Sequence, residues 1–286
     1  MMLITKEVLL MIAPNLARDR AKVLADAMNE VLPQYGIVSH DEFEEYLANV
    51  LHETKFFRIR VESMNYTSAS RIVEIWPSRF NLTGTNGRLN ANLFVRQPVK
   101  LANAVYNGRM GNRMNTNDGF DFRGGGDPQL TGRDAYTLFA AHCNRKWNTC
   151  LTAFNWAERV RSNDYWSVVA GGWFFEWKNL GPLTRMNDIN GVRRRWNGGK
   201  IGLNDTLRCL EIVKKYLPLV NVKTPPVVIR TSSGSGVRLR AGQGTNFSII
   251  TTIPNGSAVS VISRGAQWSQ VRFNNQEGWV ASEFLS

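Results

Sequence analysis

The hydrophobic pattern of the chain changes at Pro218. Before this proline, apolar residues recur every three or four positions, which is the spacing of one face of an α-helix. After it, short β-branched runs alternate with turn residues such as Pro254-Asn255-Gly256. One fold class cannot satisfy both patterns. The sequence therefore predicts a mainly α-helical domain followed by a small all-β barrel.

The predicted domain boundaries follow this change. Residues 1–217 form the helical domain, 218–226 (PLVNVKTPP) a linker, and 227–286 the β domain. Two tryptophans of the β domain, Trp268 and Trp279, are assigned to its core, because core packing is the commoner role of such residues. Five short strands are predicted there, at Val237–Arg240, Ile249–Ile253, Ala258–Ser263, Trp268–Phe273 and Gly278–Val280.

One helix is predicted with particular clarity. Ser39 and Glu42 have the spacing of a capping box, and apolar residues follow at helical spacing until the helix ends near His52–Thr54. The region from Asn81 to Gly126 is rich in Asn, Gly and Arg, and it is predicted to form long loops with short helices. Long ordered loops in a helical domain are often functional.

The charge of the chain indicates a polyanionic partner. Lys and Arg number 35 against 23 Asp and Glu, a formal net charge of +12. Such a balance favours nucleic acid, anionic lipid or a bacterial envelope. No nucleic-acid motif accompanies the charge, so a nucleic-acid partner is not predicted. The three cysteines, at 143, 150 and 209, have irregular spacing and are predicted to be free buried thiols of a protein made in a reducing cytoplasm.

The N-terminal sequence predicts neither a signal peptide nor a membrane segment. The apolar stretch Val8–Ala13 is short and lacks a small-residue cleavage site, and no stretch approaches the ~18 apolar residues of a membrane span. The expected protein is made in a bacterial cytoplasm and needs another route to an envelope target.

Several kinds of catalytic site are not predicted by the sequence. His52-Glu53 begins a zinc motif, but Phe56 stands where the second His would be required, so neither a metal nor another cofactor is predicted. No nucleophile elbow indicates a Ser-His-Asp triad. The glycines at 124–126 lack the Lys and Ser/Thr that complete a phosphate-binding loop.

Two carboxylates could work together only under one geometric condition. Glu53 and Glu62 are nine residues apart. On one continuous helix they would be rotated by roughly 180° and separated by roughly 13 Å, and so would lie on opposite faces. Inverting glycosidases hold their two carboxyl groups about 6.5–9.5 Å apart with a water between them. Joint work therefore requires that the helix ends soon after Glu53 and that the chain turns back.

Five segments, in this order, resemble family 19 glycoside hydrolases, in the branch of phage endolysins and lysozyme-like chitinase relatives. They are LANVLHETKFFRIRVESMNYTSASRIVEIWPSRF (47–80), LANAVYNGRMGN (101–112), DGFDFRGGGDPQLTGRDAY (118–136), AGGWFFEWKNLGPL (170–183) and WNGGKIGLND (196–205). The resemblance implies a two-lobed, lysozyme-like helical fold with a cleft between the lobes. It also implies inverting hydrolysis of a β-1,4 bond beside an N-acetylated sugar.

The resemblance also implies roles for individual residues. Glu53 matches the general acid and Glu62 the general base that activates water, and the Thr131 hydroxyl matches a group that helps to hold this water. Because the acid must stay protonated and the base ionised, we expect Glu53 to be partly buried and Glu62 to be wetter or near a cation. The residues expected to line the sugar cleft are Tyr66, Gln129 and Asn197.

Two departures from the family pattern fall near the expected site. The family usually has RGRG followed by an apolar pair, whereas here Gly125 replaces an Arg, and Asp127 and Pro128 introduce a charge and a proline into a cleft-forming loop. Ala135 stands just before Tyr136, in a region where the family often has Asn. Both departures are expected to remove polar groups near the expected site and to affect sugar preference and rate more than the fold.

The C-terminal segment resembles bacterial SH3-like domains. The opening VRLRAGQGTNF, the central Trp268 and the closing GWVAS carry this resemblance, which implies binding of a cell-wall component. Residues 227–286 hold five Arg and two Glu, so this part is cationic, as is the remainder of the chain. Both parts therefore suit an anionic bacterial envelope.

Together these features predict a monomeric endolysin of the muramidase type. It would cleave peptidoglycan glycan strands between N-acetylmuramic acid and N-acetylglucosamine, and would act on the wall after release from the cytoplasm. Three alternatives stay open at this point: a chitinase, a secreted antibacterial toxin with the same chemistry, and a wall-binding protein without catalytic activity.

Overall fold

The structure, a computed structural model, describes residues 4–199, 201–217, 227–274 and 276–286. Its contacts divide the chain into two compact units, Met1–Val220 and Asn221–Ser286. The predicted linker, 218–226, lies outside the described residues. The first unit is helical and the second is a β-sheet, so the fold class predicted from the hydrophobic pattern is confirmed.

The helices of the first unit are joined by short turns and by one long irregular region. Two short segments, Phe80–Asn81 (β1) and Leu89–Asn90 (β2), pair in parallel within that region. The helices are α1 (Lys6–Ile12), α2 (Arg18–Val31), α3 (His40–Thr54), α4 (Ala69–Ile75), α5 (Pro98–Tyr106), α6 (Asp118–Asp121), α7 (Arg133–Trp147), α8 (Ala153–Ser162), α9 (Asp164–Trp177), α10 (Gly181–Arg185), α11 (Ile189–Asn197) and α12 (Leu203–Tyr216).

Helix α3 begins and ends where the sequence predicts. The Ser39 hydroxyl accepts from the Glu42 N–H, and the Glu42 carboxylate accepts from the Ser39 N–H, which completes the capping box. The helix ends at Thr54, and Lys55 adopts a left-handed conformation with φ 48°. The first requirement set by the spacing of the two carboxylates is therefore met, because the helix ends at Thr54, directly after Glu53.

Helix α9 is the centre of the first unit. Its residues from Ser167 to Phe175 are all buried, as expected of a helix that is apolar on every side. Two glycines let aromatic residues approach closely, since an added Cβ at Gly172 would stand 2.6 Å from the Tyr35 ring and one at Gly171 would overlap the Tyr46 hydroxyl.

A separate hydrophobic cluster lies in the segment between α3 and α6. Such a second core is what a two-lobed arrangement requires. It consists of Met64, Ile72, Phe80, Ala91, Phe94, Leu101, Ala102 and Val105.

The second unit is a sheet of six strands in the order β3-β6-β7-β8-β4-β5, with antiparallel neighbours. The strands are Val227–Val228 (β3), Val237–Arg240 (β4), Ile249–Ile253 (β5), Ala258–Ser263 (β6), Trp268–Phe273 (β7) and Gln276–Ala281 (β8). Four of the five predicted strands have the observed bounds, and the fifth is longer than predicted.

The prediction that Trp268 and Trp279 lie in the core of the β unit is wrong. The buried cluster of this unit is aliphatic, and Trp268 and Trp279 are only half-buried and lie outside it. Small alternating β-branched residues fill the narrow space inside so short a sheet, which leaves the indole rings at its surface. The core consists of Ile229, Val237, Leu239, Ile253, Val259, Val271, Val280 and Leu285.

Two further expectations from the sequence can be compared with the structure. All three cysteines are free, but Cys150 is exposed, so the prediction of buried thiols is wrong for that residue. Among the described residues, no helix is long and apolar enough to cross a bilayer.

Candidate active site

A cavity of about 540 Å³ in the helical unit brings together most of the residues expected to act in catalysis. Its size lies in the range of small-molecule sites in proteins. The side chains of both Glu53 and Glu62 reach its wall. The residues that line it are Glu53, Lys55, Ile59, Glu62, Ser63, Asn65, Tyr66, Tyr106, Gly124, Gln129 and Thr131.

Glu53 lies in the last turn of α3 and is paired with a buried cation. The Arg193 Nη1 donates to the Glu53 Oε1 over 2.7 Å. Only 3% of the Arg193 side chain is exposed, against 19% for Glu53. Arg193 also donates to the Asn49 Oδ1 at 3.3 Å and, through Nε, to the Ile201 carbonyl at 3.0 Å. The guanidinium is thus held by three acceptors, and it fixes the position of the Glu53 carboxylate.

The chain reverses direction immediately after Glu53. Lys55, Phe56 and Phe57 all have positive φ, a conformation that costs of the order of 1–3 kcal/mol for each non-glycine residue. The Thr54 hydroxyl accepts from the Phe57 N–H at 2.9 Å, and the Thr54 carbonyl accepts from the Ile59 N–H at 2.8 Å. These bonds stabilise a turn that the local sequence disfavours, and the turn brings the following segment back to the cavity.

Glu62 lies on the returning segment and is held by neutral donors. The Tyr106 hydroxyl donates to its Oε1 at 2.6 Å, and the Gly124 N–H donates to its Oε2 at 3.0 Å. The Glu62 N–H in turn donates to the Gly124 carbonyl at 2.8 Å. Burial, and then the nearby Glu62 carboxylate, raise the pKa of Tyr106 well above its usual range, so Tyr106 remains a donor at any ordinary pH.

Tyr106 and Arg193 are site residues that the sequence analysis did not select. Tyr106 lies in the segment LANAVYNGRMGN and Arg193 in the run of three arginines at 193–195. When a tyrosine or an arginine belongs to no recognisable motif, the sequence does not indicate which residue it contacts in the fold. Both contact their carboxylates across long stretches of sequence, 44 residues for Tyr106 and 140 for Arg193.

The loop after α6 supplies two more of the predicted site residues, Gln129 and Thr131. Thr131 donates to the Gln129 carbonyl at 2.9 Å, which leaves the lone pairs of its hydroxyl to accept from a bound water or sugar. The Gln129 Nε2 donates to the Gly126 carbonyl at 3.0 Å. An added Cβ at Gly124 would lie 2.9 Å from the Gln129 Oε1 and 3.2 Å from the Glu62 Cβ, so only glycine leaves both side chains in place.

Of the two other residues predicted to line the cleft, the structure places one there. Tyr66 lines the cavity, and its ring meets Trp76 edge-on with centroids 5.4 Å apart. Burial, and then Glu62, raise the pKa of Tyr66. Asn197 is exposed at the end of α11 and is not brought to this cavity. Its side chain donates to the Ile201 carbonyl at 2.6 Å and accepts from the Gly199 N–H at 2.9 Å.

A larger cavity of about 700 Å³ lies on the β unit. Its size does not make it the catalytic site, since it lacks a pair of carboxylates. Hydroxyl side chains, two arginines, one acid and an indole ring form its wall, which suits the binding of a polar ligand. The lining residues are Thr231, Ser232, Ser233, Ser235, Gly236, Val237, Arg238, Arg240, Thr245, Ala266, Gln267, Trp268, Ala281, Glu283 and Phe284.

Comparison with known proteins assigns the helical unit to a family. The chain is 30% identical over 192 residues to a glycosyl hydrolase family 19 domain-containing protein of Haemophilus influenzae. The match covers 66% of this chain and 85% of the relative. The chain belongs to glycosyl hydrolase family 19. It is therefore a member of a glycoside hydrolase family, as the five ordered segments predict.

The β unit has its own matches. A family model described as a bacterial SH3 domain matches residues 235–286. The chain is also 36% identical over 56 residues to the putative N-acetylmuramoyl-L-alanine amidase YrvJ of Bacillus subtilis, a match that covers 20% of this chain and 11% of that protein. Most of the residues that line the 700 Å³ cavity thus lie in the part of the chain that matches a bacterial SH3 domain.

The departures from the family pattern at 125–128 do not change the cleft wall as expected. Asp127 does bring an acidic residue into this loop, but its side chain is 3% exposed and is hydrogen-bonded inside the unit, so it does not line the cavity. An added Cβ at Gly125 would stand 2.7 Å from both the Arg161 Cγ and the Tyr136 hydroxyl. The space around Gly125 is filled by these side chains from other helices, and Ala135 is also buried.

Of the two environments expected for the general base, a wetter one or one near a cation, the structure does not show the cation, which is found beside the other carboxylate. Arg193 pairs with Glu53, and the partners of Glu62 are a tyrosine hydroxyl and a backbone N–H. The burial of Glu53 at its helix end agrees with expectation. The two carboxylates therefore differ in the kind of group that holds them.

One group of side chains in the described residues has the spacing of metal ligands. His40, Asp41 and Glu44, at the start of α3, offer ligand atoms within 4.8 Å of one another. Protein groups already contact them, since the His40 Nδ1 lies 3.2 Å from the Glu44 Oε1 and the Lys214 Nζ 3.9 Å from the Glu44 Oε2. These residues do not line the cavity that holds Glu53 and Glu62. That the protein uses no metal or cofactor stays a prediction.

Proposed function

We propose that this family 19 glycoside hydrolase cleaves the glycan strands of peptidoglycan. The bond is the β-1,4 bond between N-acetylmuramic acid and N-acetylglucosamine, and the reaction inverts the anomeric configuration. The observation that carries the proposal is the meeting of Glu53 and Glu62 at one cavity, each held by its own set of partners.

In the proposed reaction, Glu53 is the general acid. It gives its proton to the glycosidic oxygen as the bond from this oxygen to the anomeric carbon breaks. The ionised Glu53 that results lies 2.7 Å from the Arg193 guanidinium, which stabilises the charge formed in this step. Exchange with solvent then returns the proton.

Glu62 is the general base in the same step. It takes a proton from a water whose oxygen forms the new bond to the anomeric carbon on the opposite face of the sugar. The Tyr106 hydroxyl and the Gly124 N–H orient its carboxylate, and the Thr131 hydroxyl accepts from the same water. The product sugar therefore carries an α-hydroxyl.

The choice of peptidoglycan over chitin is supported by features outside the cleft. A bacterial SH3 domain match covers residues 235–286, and a relative that matches 56 residues of the chain is named as a putative N-acetylmuramoyl-L-alanine amidase. The net charge of +12 favours an anionic wall over an uncharged polymer. In this proposal the β unit binds the wall and the helical unit cuts the glycan.

The proposal is tested by digesting purified peptidoglycan and analysing the products by mass spectrometry. The parent should release fragments with new N-acetylmuramic acid reducing ends. Glu53→Gln and Glu62→Gln should each reduce the rate by about 10²–10⁴-fold. Glu74→Gln, which removes an exposed carboxylate paired with Arg71 on α4, is the matched control and should keep the parent rate.

Three outcomes would replace the proposal. Cleavage of chitin oligomers but not of peptidoglycan would make the chain a chitinase. Fragments without new reducing ends would exclude glycan hydrolysis. Lysis by Glu53→Gln at the parent rate would indicate a wall-binding protein whose cleft is not catalytic.

A further inference from the structure

Asp127 is a buried carboxylate in the helical unit that the proposed reaction does not use. It is 3% exposed, and both of its oxygens accept hydrogen bonds from buried hydroxyls. Tyr46 donates to Oδ2 at 3.2 Å and Ser167 donates to Oδ1 at 2.6 Å. The Asp127 N–H donates to the same Ser167 hydroxyl at 2.9 Å. The side chain of Asp127 is thus hydrogen-bonded to both α3 and α9, and its backbone N–H is hydrogen-bonded to α9.

One of these helices carries the proposed general acid. Tyr46 and Glu53 both belong to α3 and are seven residues apart, which is about two turns, so they lie on the same side of the helix. Tyr46 is fully buried, and Gly171 on α9 leaves the space that its hydroxyl needs. The contact from Tyr46 to Asp127 therefore links the loop to a rigid element whose last turn holds Glu53.

The loop that contains Asp127 also holds the proposed general base. The carbonyl of Gly124, three residues before Asp127, accepts from the Glu62 N–H, and the Gly124 N–H donates to the Glu62 carboxylate. The Gly126 N–H donates to the Arg60 carbonyl at 2.8 Å, two residues before Glu62. The positions of Gly124 and of the Glu62 carboxylate therefore depend on where this loop is held.

We propose that Asp127 is a positioning residue that fixes the separation between Glu53 and Glu62 through Tyr46 and Ser167. This inference rests on the proposed function of the two carboxylates. The two carboxylate oxygens of Asp127 accept from α3 and from α9. This single side chain therefore holds both helices and the loop in fixed positions relative to one another. An apolar residue in its place would leave two buried hydroxyls without acceptors, and the loop would lose its contact with α3.

The inference predicts a loss of turnover that is much larger than any loss of substrate binding. Of the residues expected to bind the sugar, Tyr66 lies outside this loop, and Gln129 lies in it but has no described hydrogen bond to Asp127 itself. A displacement of about 1 Å between reacting groups lowers a rate by roughly 10²-fold. We therefore expect Asp127→Ala to lower kcat by about 10–100-fold while KM stays within about twofold of the parent value.

The experiment measures kcat and KM on soluble, uncrosslinked peptidoglycan oligomers with the full chain. Asp127→Asn keeps the shape of the side chain and one acceptor, and its amide can donate to the Tyr46 hydroxyl, so it should restore kcat to within about threefold of the parent. Tyr46→Phe removes the link to α3 and should lower kcat by about 5–20-fold. Thr184→Val is the matched control, because it removes a buried hydroxyl whose hydrogen bond among the described residues is to the Gly181 carbonyl of the same helix, α10.

The outcomes separate this inference from the proposed function. A parent without glycan-cleaving activity would refute the function itself, and Glu62→Gln measured in parallel shows whether the base is required. If the parent is active, an unchanged kcat in folded Asp127→Ala, a change carried by KM, or an Asn variant as slow as the Ala variant would overturn the positioning role. If Asp127→Ala does not fold, Tyr46→Phe decides the question, and an unchanged kcat in that variant would overturn it.

Discussion

The two walls of the cleft hold their carboxylates by different means. On the helical wall, Glu53 is at the end of α3 and pairs with Arg193, a buried cation with three acceptors. On the loop wall, Glu62 accepts from a tyrosine hydroxyl and a backbone N–H. A charged partner stabilises an anion strongly, whereas neutral donors chiefly fix its direction. The helical wall is thus suited to a carboxyl group that becomes charged during the reaction, and the loop wall to a carboxylate whose orientation toward the water must be fixed.

Removing the cation from the helical wall should have the largest effect. In Arg193→Ala, Glu53, Asn49 and the Ile201 carbonyl each lose a donor. We expect kcat to fall by about 10²-fold or more, because the charge formed on Glu53 has lost its partner. Removal of Arg193 also leaves the buried Asn49 Oδ1 without the donor it has in the structure, which should lower the free energy of unfolding by about 1–3 kcal/mol.

Turnover assays and thermal denaturation measure these two effects. Arg194→Ala, on the same helix but exposed, is the control and should change neither quantity. An Arg193→Ala protein with parental turnover would show that the helical wall does not act through charge.

Removing one donor from the loop wall should have a smaller effect and a different signature. Tyr106→Phe leaves the ring in place and removes the 2.6 Å hydrogen bond to Glu62. The Glu62 carboxylate then loses the group that fixes its direction, and because a misplacement of about 1 Å lowers a rate by roughly 10²-fold, we expect kcat to fall by about 10–100-fold. Because the ring remains packed, the melting temperature should change little. A fall in stability as large as that of Arg193→Ala would contradict the distinction between the walls.

Replacement of Asp127 by Asn, at the buried contact that joins the two walls, should have the smallest effect on turnover, and its consequence should be visible in the pH dependence of stability. Burial raises the pKa of Asp127 to about 6, above the ordinary value of 3.8 for an unfolded Asp. A group whose pKa is raised by folding stabilises the folded state below its unfolded pKa, and this contribution is lost as the pH rises through the folded pKa. The contribution of Asp127 should therefore decline between pH 4 and 6, by up to about 2–3 kcal/mol.

Asp127→Asn does not titrate and isolates this contribution. The free energy of unfolding of parent and variant should be compared by urea denaturation at several pH values. The difference between the two proteins should change across pH 4–6 and stay constant above pH 7. A difference that is the same at every pH would show that Asp127 is not buried as a titrating group.

The sequence predicts the two fold classes and one of the two walls well, for local reasons. The capping box at Ser39, the end of α3 near Glu53 and four of the strand ranges depend on neighbouring residues, and each agrees with the structure. The family resemblance adds the identity of the two carboxylates. Local patterns are informative because helix caps and β-turns are built from residues close together in the chain.

The remaining features depend on contacts between distant residues. Arg193 contacts Glu53 from 140 residues away, and Ser167 contacts Asp127 from 40 residues away. A charged residue in a loop is more often exposed than buried, so the sequence alone gives no sign that Asp127 is buried against two helices. The prediction that Trp268 is a core residue fails for a similar reason, because the small interior of a short sheet has too little space for an indole ring. Only the folded structure shows which of these partners exist.

The central claim is that Glu53 and Glu62 act as acid and base across a single water. The most direct test is proton NMR of a reducing end newly released from soluble peptidoglycan glycan strands. Spectra are recorded in the first minutes, before mutarotation mixes the anomers. The proposed mechanism predicts that the α-anomer appears first, because the water attacks the face opposite the leaving group. Initial release of the β-anomer would contradict it, since that product requires a covalent intermediate or an equivalent double displacement.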